Sequence, residues 1–126
     1  MNVKLVEKGG NFVENDDDLK LTWRASGRTF SSRTMGWFRQ APNDDSTNVA
    51  TIRWNGGSTY YTNYGDSVKE RFDIRVDQAS NTVTLSMDDL QPEDSAEYNV
   101  AGTDIGDGWS GRYDYRGQGT DVTVSS

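Results

Sequence analysis

The 126-residue sequence contains no cysteine and no histidine. Without cysteine the chain can form no disulfide, hold no thiolate-bound metal and use no thiol nucleophile, so its folding is expected not to depend on the redox state of its compartment. Without histidine it lacks the most common general base, a frequent zinc ligand and the side chain that titrates near neutral pH. Most enzyme mechanisms lose a component, and we therefore expect a protein that is not an enzyme and needs no cofactor and no metal.

Long apolar runs and positive charge are also scarce. No stretch approaches the roughly 18 apolar residues of a membrane-spanning helix, and Met1 is not followed by the apolar segment of a signal peptide. Thirteen Lys and Arg against 20 Asp and Glu give a net charge of -7, which disfavours nucleic acid and anionic membranes as partners. We expect one domain spanning residues 1–126, without a signal peptide and compatible with the cytoplasm.

Alternation of apolar and polar residues with a period of two is the main structural signal. In residues 35–40, Met35 and Trp37 can face one side of a strand while Phe38 and Gln40 face the other. Turn signals roughly every 8 to 12 residues separate further alternating stretches, which lie at residues 19–25, 47–53, 72–76, 83–87, 96–100 and 122–124. The pattern predicts an all-β fold, an antiparallel two-sheet sandwich of about nine strands.

Several motifs occur in order along the whole chain, among them WFRQAP at residues 37–42, DSVK at 66–69, PED at 92–94 and GQGT at 117–120. With them the chain resembles a camelid single-domain heavy-chain antibody variable domain, or nanobody. The resemblance implies an immunoglobulin V-type sandwich. In that family, positions 23 and 100 would be cysteines joined across the sandwich against the central Trp37. Here they are Trp23 and Val100.

The resemblance also implies roles for particular framework residues. Tyr98 would form a tyrosine corner, in which its hydroxyl bonds to nearby backbone. Arg71 and Asp94 would form an ion pair at the bottom of the sandwich, where a planar guanidinium suits a carboxylate. Phe38 matches the single-domain form, which implies a monomer without a light chain.

The framework departs from the family pattern more than the loops do. Asp45, Ser46 and Asn48 stand where the family usually has charged and aromatic residues. Additional aspartates occur at residues 16–18 and 88–89. The three loops, residues 27–36, 51–62 and 101–115, carry four Arg against three Asp, whereas the remainder carries nine basic and 17 acidic residues. We interpret the framework as deliberately redesigned, which implies a recombinant product with a solubilising acidic shell.

A missing disulfide has to be compensated. Closing a loop of about 78 residues would contribute roughly 4.5 kcal/mol in the loop-entropy model. Our hypothesis is that a buried Trp23 indole packs against Trp37, while Val100 leaves room opposite. Overpacking or an unpaired indole N–H is the hazard of this arrangement.

The resemblance implies antigen binding, with a protein as the expected antigen, through the three loops at one end of the sandwich. Aromatic and arginine side chains among Gly and Ser are typical of such a surface. The predicted binding residues are Arg28, Arg33, Arg53, Trp54, Asn55, Tyr60, Thr103, Asp104, Ile105, Asp107, Trp109, Arg112 and Tyr113.

Plainer interpretations of these residues remain open. Tyr60, Tyr61 and Tyr64 could serve strand-edge packing, and Trp109 or the tyrosines of the third loop could pack on Phe38. The adjacent aspartates suit solvated turns better than a glycosidase pair or a calcium loop. Two other functions also stay open: a scaffold for stability or design tests with no partner, and a carbohydrate-binding module that uses Trp54 and Trp109.

Overall fold

The structure, a computed structural model, describes residues 10–24, 32–40, 47–55, 60–103 and 115–126. Within these residues one turn of 3-10 helix, Pro92–Asp94, follows the seventh of ten strands. The strands are β1 (Gly10–Val13), β2 (Leu19–Arg24), β3 (Ser32–Gln40), β4 (Thr47–Asn55), β5 (Tyr60–Tyr64), β6 (Phe72–Asp77), β7 (Thr82–Met87), β8 (Ala96–Thr103), β9 (Tyr115–Arg116) and β10 (Thr120–Val124).

The strands form two sheets, which confirms the predicted all-β sandwich. The larger sheet has the order β1-β10-β8-β3-β4-β5, with β9 also paired to β8, and the smaller has the order β2-β7-β6. Neighbouring strands are antiparallel except for β1, which runs parallel to β10. The strand beyond the expected nine is the two-residue β9, because the chain leaves the ladder near Gly117 before β10 begins.

The core lies between the two sheets and follows the alternation in the sequence. From the smaller sheet, Leu21, Val83 and Leu85 are buried. They join the same cluster as Trp37 and Tyr98 of the larger sheet, which are 2% and 0% exposed. Strands that present one apolar face to a shared core and one polar face to water are the expected solution for an antiparallel sandwich.

Tyr64 connects the open edges of the two sheets. Its partly buried ring packs against the core, and its hydroxyl accepts a hydrogen bond of 2.9 Å from the Ile74 N–H of β6. The same hydroxyl lies 3.5 Å from the Asp73 carboxylate, and burial is the main cause that raises the pKa of Tyr64 above its ordinary value. Tyr64 therefore serves strand-edge packing, which is one of the two interpretations given for it above. Its hydroxyl also satisfies a backbone donor that an edge strand would leave unpaired.

Candidate binding surface

Strand register brings the ends that flank the three loops to one edge of the larger sheet. Arg33 of β3 pairs with Trp54 of β4, which in turn pairs with Tyr60 of β5. On the other side of β3, Thr34 pairs with Thr103 at the end of β8. We call this end of the sandwich the loop edge. The sequence positions of the three predicted loops thus start and finish on adjacent, hydrogen-bonded strands.

The structure describes only part of the predicted binding set. For four residues, Arg33, Trp54, Asn55 and Thr103, it places the backbone at the loop edge, and their side chains lie outside what is described. The side chains of Arg53 and Tyr60 are described in full. The other predicted residues lie outside the described part of the chain: Arg28, Asp104, Ile105, Asp107, Trp109, Arg112 and Tyr113.

Arg53 and Tyr61 form an exposed pair on the outer face of β4 and β5, whereas Tyr60, next to Tyr61 in β5, faces the smaller sheet. Arg53 pairs with Tyr61 across the two strands, and its guanidinium carbon lies 5.6 Å from the centre of the Tyr61 ring. Tyr61 is 58% exposed and Tyr60 is 39% exposed. The Tyr60 hydroxyl accepts a hydrogen bond from the Gln78 side chain, which fixes the ring across to the smaller sheet. A cation over an aromatic face loses little freedom on contact with a partner, since both groups are already oriented.

The opposite end of the sandwich is held by a buried carboxylate. Asp94 is 1% exposed and receives two hydrogen bonds from Arg71, at 2.8 and 3.1 Å, so the expected ion pair is present and bidentate. Arg39 donates to the same carboxylate at 2.9 Å, and the Gln91 N–H donates at 2.8 Å. The Tyr98 hydroxyl donates to the Asp94 carbonyl at 2.6 Å, which is the expected tyrosine corner.

These contacts decide the charge state of Asp94. Burial alone would raise the pKa of its carboxyl, but the hydrogen bonds from Arg71, Gln91 and Arg39 outweigh that effect and hold the pKa below its ordinary value. A buried charge is tolerated only when its lone pairs are satisfied in this way. The frame beneath the loop edge is therefore fixed by an ionised network.

In the comparison with known families, the family model described as "Immunoglobulin V-set domain" matches residues 13–125. The chain belongs to the immunoglobulin V-set family. The two sheets, the tyrosine corner and the convergence of the loop-bearing strands are consistent with that assignment.

Arg39 is a member of the V-set framework network that the sequence analysis did not assign. Besides its bond to Asp94, it donates to the Tyr98 hydroxyl at 3.0 Å. A signal was present in the sequence. Arg39 follows Trp37 by two residues, so strand alternation places its charge on the core side, where it requires a carboxylate partner.

Trp23, at the first cysteine position of the V-set pattern, reaches across to the larger sheet. It lies on β2 opposite Val83 and packs against the core. Its ring lies so close to Gly117 that a β-carbon there would stand 2.7 Å from the indole Nε1. Trp23, Trp37 and Val100 also line a common void of about 10 Å³. The indole thus reaches from β2 to the segment between β9 and β10, beside the core residues Trp37 and Val100.

Two details of the Trp23 hypothesis need correction. Trp23 is only partly buried, because its indole extends to the backbone at Gly117 near the margin of the sandwich. The unpaired indole N–H that was anticipated as a hazard belongs to Trp37, whose buried Nε1 has no hydrogen-bond partner among the described residues. Within the described part of the chain, this donor carries the cost of an unsatisfied buried group, about 1–3 kcal/mol.

In the described part of the chain, no group of three or more His, Cys, Asp or Glu side chains could hold a metal ion. None of the helices described there has the length and apolar content of a membrane span.

Proposed function

We propose that this V-set domain is an engineered, disulfide-free nanobody that binds a protein antigen through its three loops, as a monomer without a light chain. The observation that carries the proposal is the exposed pair of Arg53 and Tyr61 at the loop edge. Aromatic and arginine side chains are enriched at the centres of protein interfaces, where their loss costs most.

The frame beneath that pair supports binding rather than chemistry. Arg71, Arg39 and Asp94 fix the far end, and Tyr64 joins the sheet edges close to β5. Loops whose ends are anchored on such strands lose less conformational freedom when they contact a partner. Rigid display of loops is how this fold class commonly builds a binding surface.

Two features favour an engineered framework. Trp23 occupies a cysteine position and fills space between the sheets with apolar bulk. The added aspartates are accommodated in solvated turns, where Asp18 accepts a hydrogen bond from the Asp89 N–H and Asp16 accepts one from the Gln91 side chain. Such placement adds negative charge for solubility without burying it.

The test is affinity capture with the intact domain and with a version in which only the loop residues between strands, 27–31, 56–59 and 104–114, are scrambled in order, so that the buried strand residues Met35, Ile52 and Ala101 stay in place. Equal melting temperatures of the two proteins would show that the frame is unchanged. Mass spectrometry of bound proteins should reveal a partner retained by the intact domain alone, with a measurable Kd for the purified pair. Identical capture by both versions would contradict the proposal, and binding on a glycan array in place of protein capture would favour the carbohydrate module.

A further inference from the structure

Exposed acidic charge is concentrated at the end of the sandwich opposite the loop edge. The turns between β1 and β2 and between β7 and β8 meet there, joined by a hydrogen bond from the Asp16 N–H to the Leu90 carbonyl. The side-chain hydrogen bond with Asp16 is the main cause that raises the pKa of Asp89 above its ordinary value. The exposed acids of these turns are Glu14, Asp16, Asp17, Asp18, Asp88, Asp89 and Glu93.

The β4–β5 face at the loop edge has the opposite charge, since it is positive. Arg53 is the one charged residue in the sequences of these two strands. The nearest strand of the other sheet, β6, carries Asp73, Arg75 and Asp77, a net charge of -1, and Arg75 is bonded to Asp73 at 2.7 Å. Arg53 itself is exposed, makes no ion pair with any described residue, and rests on the Tyr61 ring.

The conformation of Arg53 follows from the strand around it. Ile52 is buried and faces the core, so alternation turns Arg53 to the outer face, where Tyr61 is its cross-strand partner. A guanidinium stacked on an aromatic ring keeps its N–H fork free at the edges. That fork matches the two oxygens of a carboxylate.

We infer that the partner presents a carboxylate, from Asp or Glu of a protein, to Arg53, next to an apolar contact with Tyr61. The inference rests on the proposed function and adds the chemistry of the epitope. Charge segregation supports it: an acidic partner is repelled by the acidic turns at the far end, whereas at the β4–β5 face it meets the positive charge of Arg53.

The test uses a random-peptide phage library selected against the intact domain, with the loop-scrambled version for counter-selection. Enriched peptides should carry Asp or Glu beside an aromatic or aliphatic residue. Their affinities are then measured by calorimetry for the intact domain, Arg53→Gln and Arg75→Gln. The last variant is a matched control, since it removes the same charge from an exposed side chain that is already paired with Asp73.

Arg53→Gln should weaken binding by about 10-fold or more, because a charge-assisted hydrogen bond is lost. Arg75→Gln should change binding by less than about threefold. Arg53→Lys should lie between them, since it keeps the charge and loses the planar fork. Loop-dependent peptides without acidic residues, or equal losses of affinity for the two glutamine variants, would overturn this inference but would not contradict the proposed function. No loop-dependent enrichment at all would contradict the proposed function.

Discussion

Replacement of Gly117 by alanine tests the contact between Trp23 and the larger sheet. A β-carbon at this position would stand 2.7 Å from Nε1 and 2.8 Å from Cδ1 of the indole. Ordinary carbon contacts are about 3.5–4.0 Å, so the ring or the strand must move by about 0.8 Å. The backbone at Gly117 does not adopt the positive φ that would itself disfavour alanine. Steric conflict with Trp23 is therefore the effect that the substitution isolates.

The expected magnitude follows from two opposing effects. Overpacking of this kind costs about 1–3 kcal/mol, and the indole has few alternative rotamers. Alanine also restricts the conformations of the unfolded chain more than glycine does, which raises the free energy of unfolding by about 0.4–1 kcal/mol. Gly117→Ala should thus lower the free energy of unfolding by about 1–2 kcal/mol. In a Trp23→Val background the conflict is gone, and the same substitution should be neutral or slightly stabilising.

The assay is urea unfolding of the four proteins of this double-mutant cycle. Gly119→Ala is the matched control, because the three atoms nearest to a β-carbon there, at 2.5–2.9 Å, all belong to the exposed Glu97 side chain, which can rotate away. It should leave stability within about 0.5 kcal/mol of the parent. A Gly117→Ala cost that is the same with and without Trp23 would refute the reasoning.

Two further predictions concern the buried network and the sheet edges. Asp94→Asn should lower the free energy of unfolding by about 3–5 kcal/mol in urea, because Arg71 and Arg39 lose their counter-ion; a loss below about 1 kcal/mol would contradict the network. Since the pKa of Asp94 is lowered on folding, its contribution is present above the unfolded pKa and is lost as pH falls below about 4. An acid titration followed by circular dichroism should therefore show a steeper loss for the parent than for Asp94→Asn. Tyr64→Phe should cost about 1 kcal/mol and speed hydrogen exchange of the Ile74 amide, whose acceptor it removes; unchanged exchange there would rule out that bond.

The fold was predictable because its signals are local and repeated. Alternation at Val83, Leu85 and Met87 places all three in the core, and the same rule holds for Tyr98 and Val100 on the facing sheet. Each strand carries its own evidence, since one buried face needs only a period of two. The ion pair of Arg71 with Asp94 was available from the family pattern, not from the residues alone.

Contacts between distant strands were harder to predict. Nothing near Trp23 in the sequence indicates that its ring meets Gly117, which lies between β9 and β10 of the other sheet. Tyr64 had two interpretations, and only the position of the Ile74 N–H decides that its hydroxyl serves the sheet edge. Pairing of Arg53 with Tyr61 depends on the β4–β5 register, which loop length and turn geometry set together.

The most direct test of the account restores the sulfur bridge. A Trp23→Cys, Val100→Cys variant, fully oxidised, gains the roughly 4.5 kcal/mol of loop-closure stabilisation and loses the packing of the indole. If Trp23 compensates for the missing bridge, urea unfolding should give a free energy within about 1 kcal/mol of the parent, and the reduced variant should fall several kcal/mol below it. An oxidised variant more stable than the parent by most of that roughly 4.5 kcal/mol would show that the indole replaces nothing.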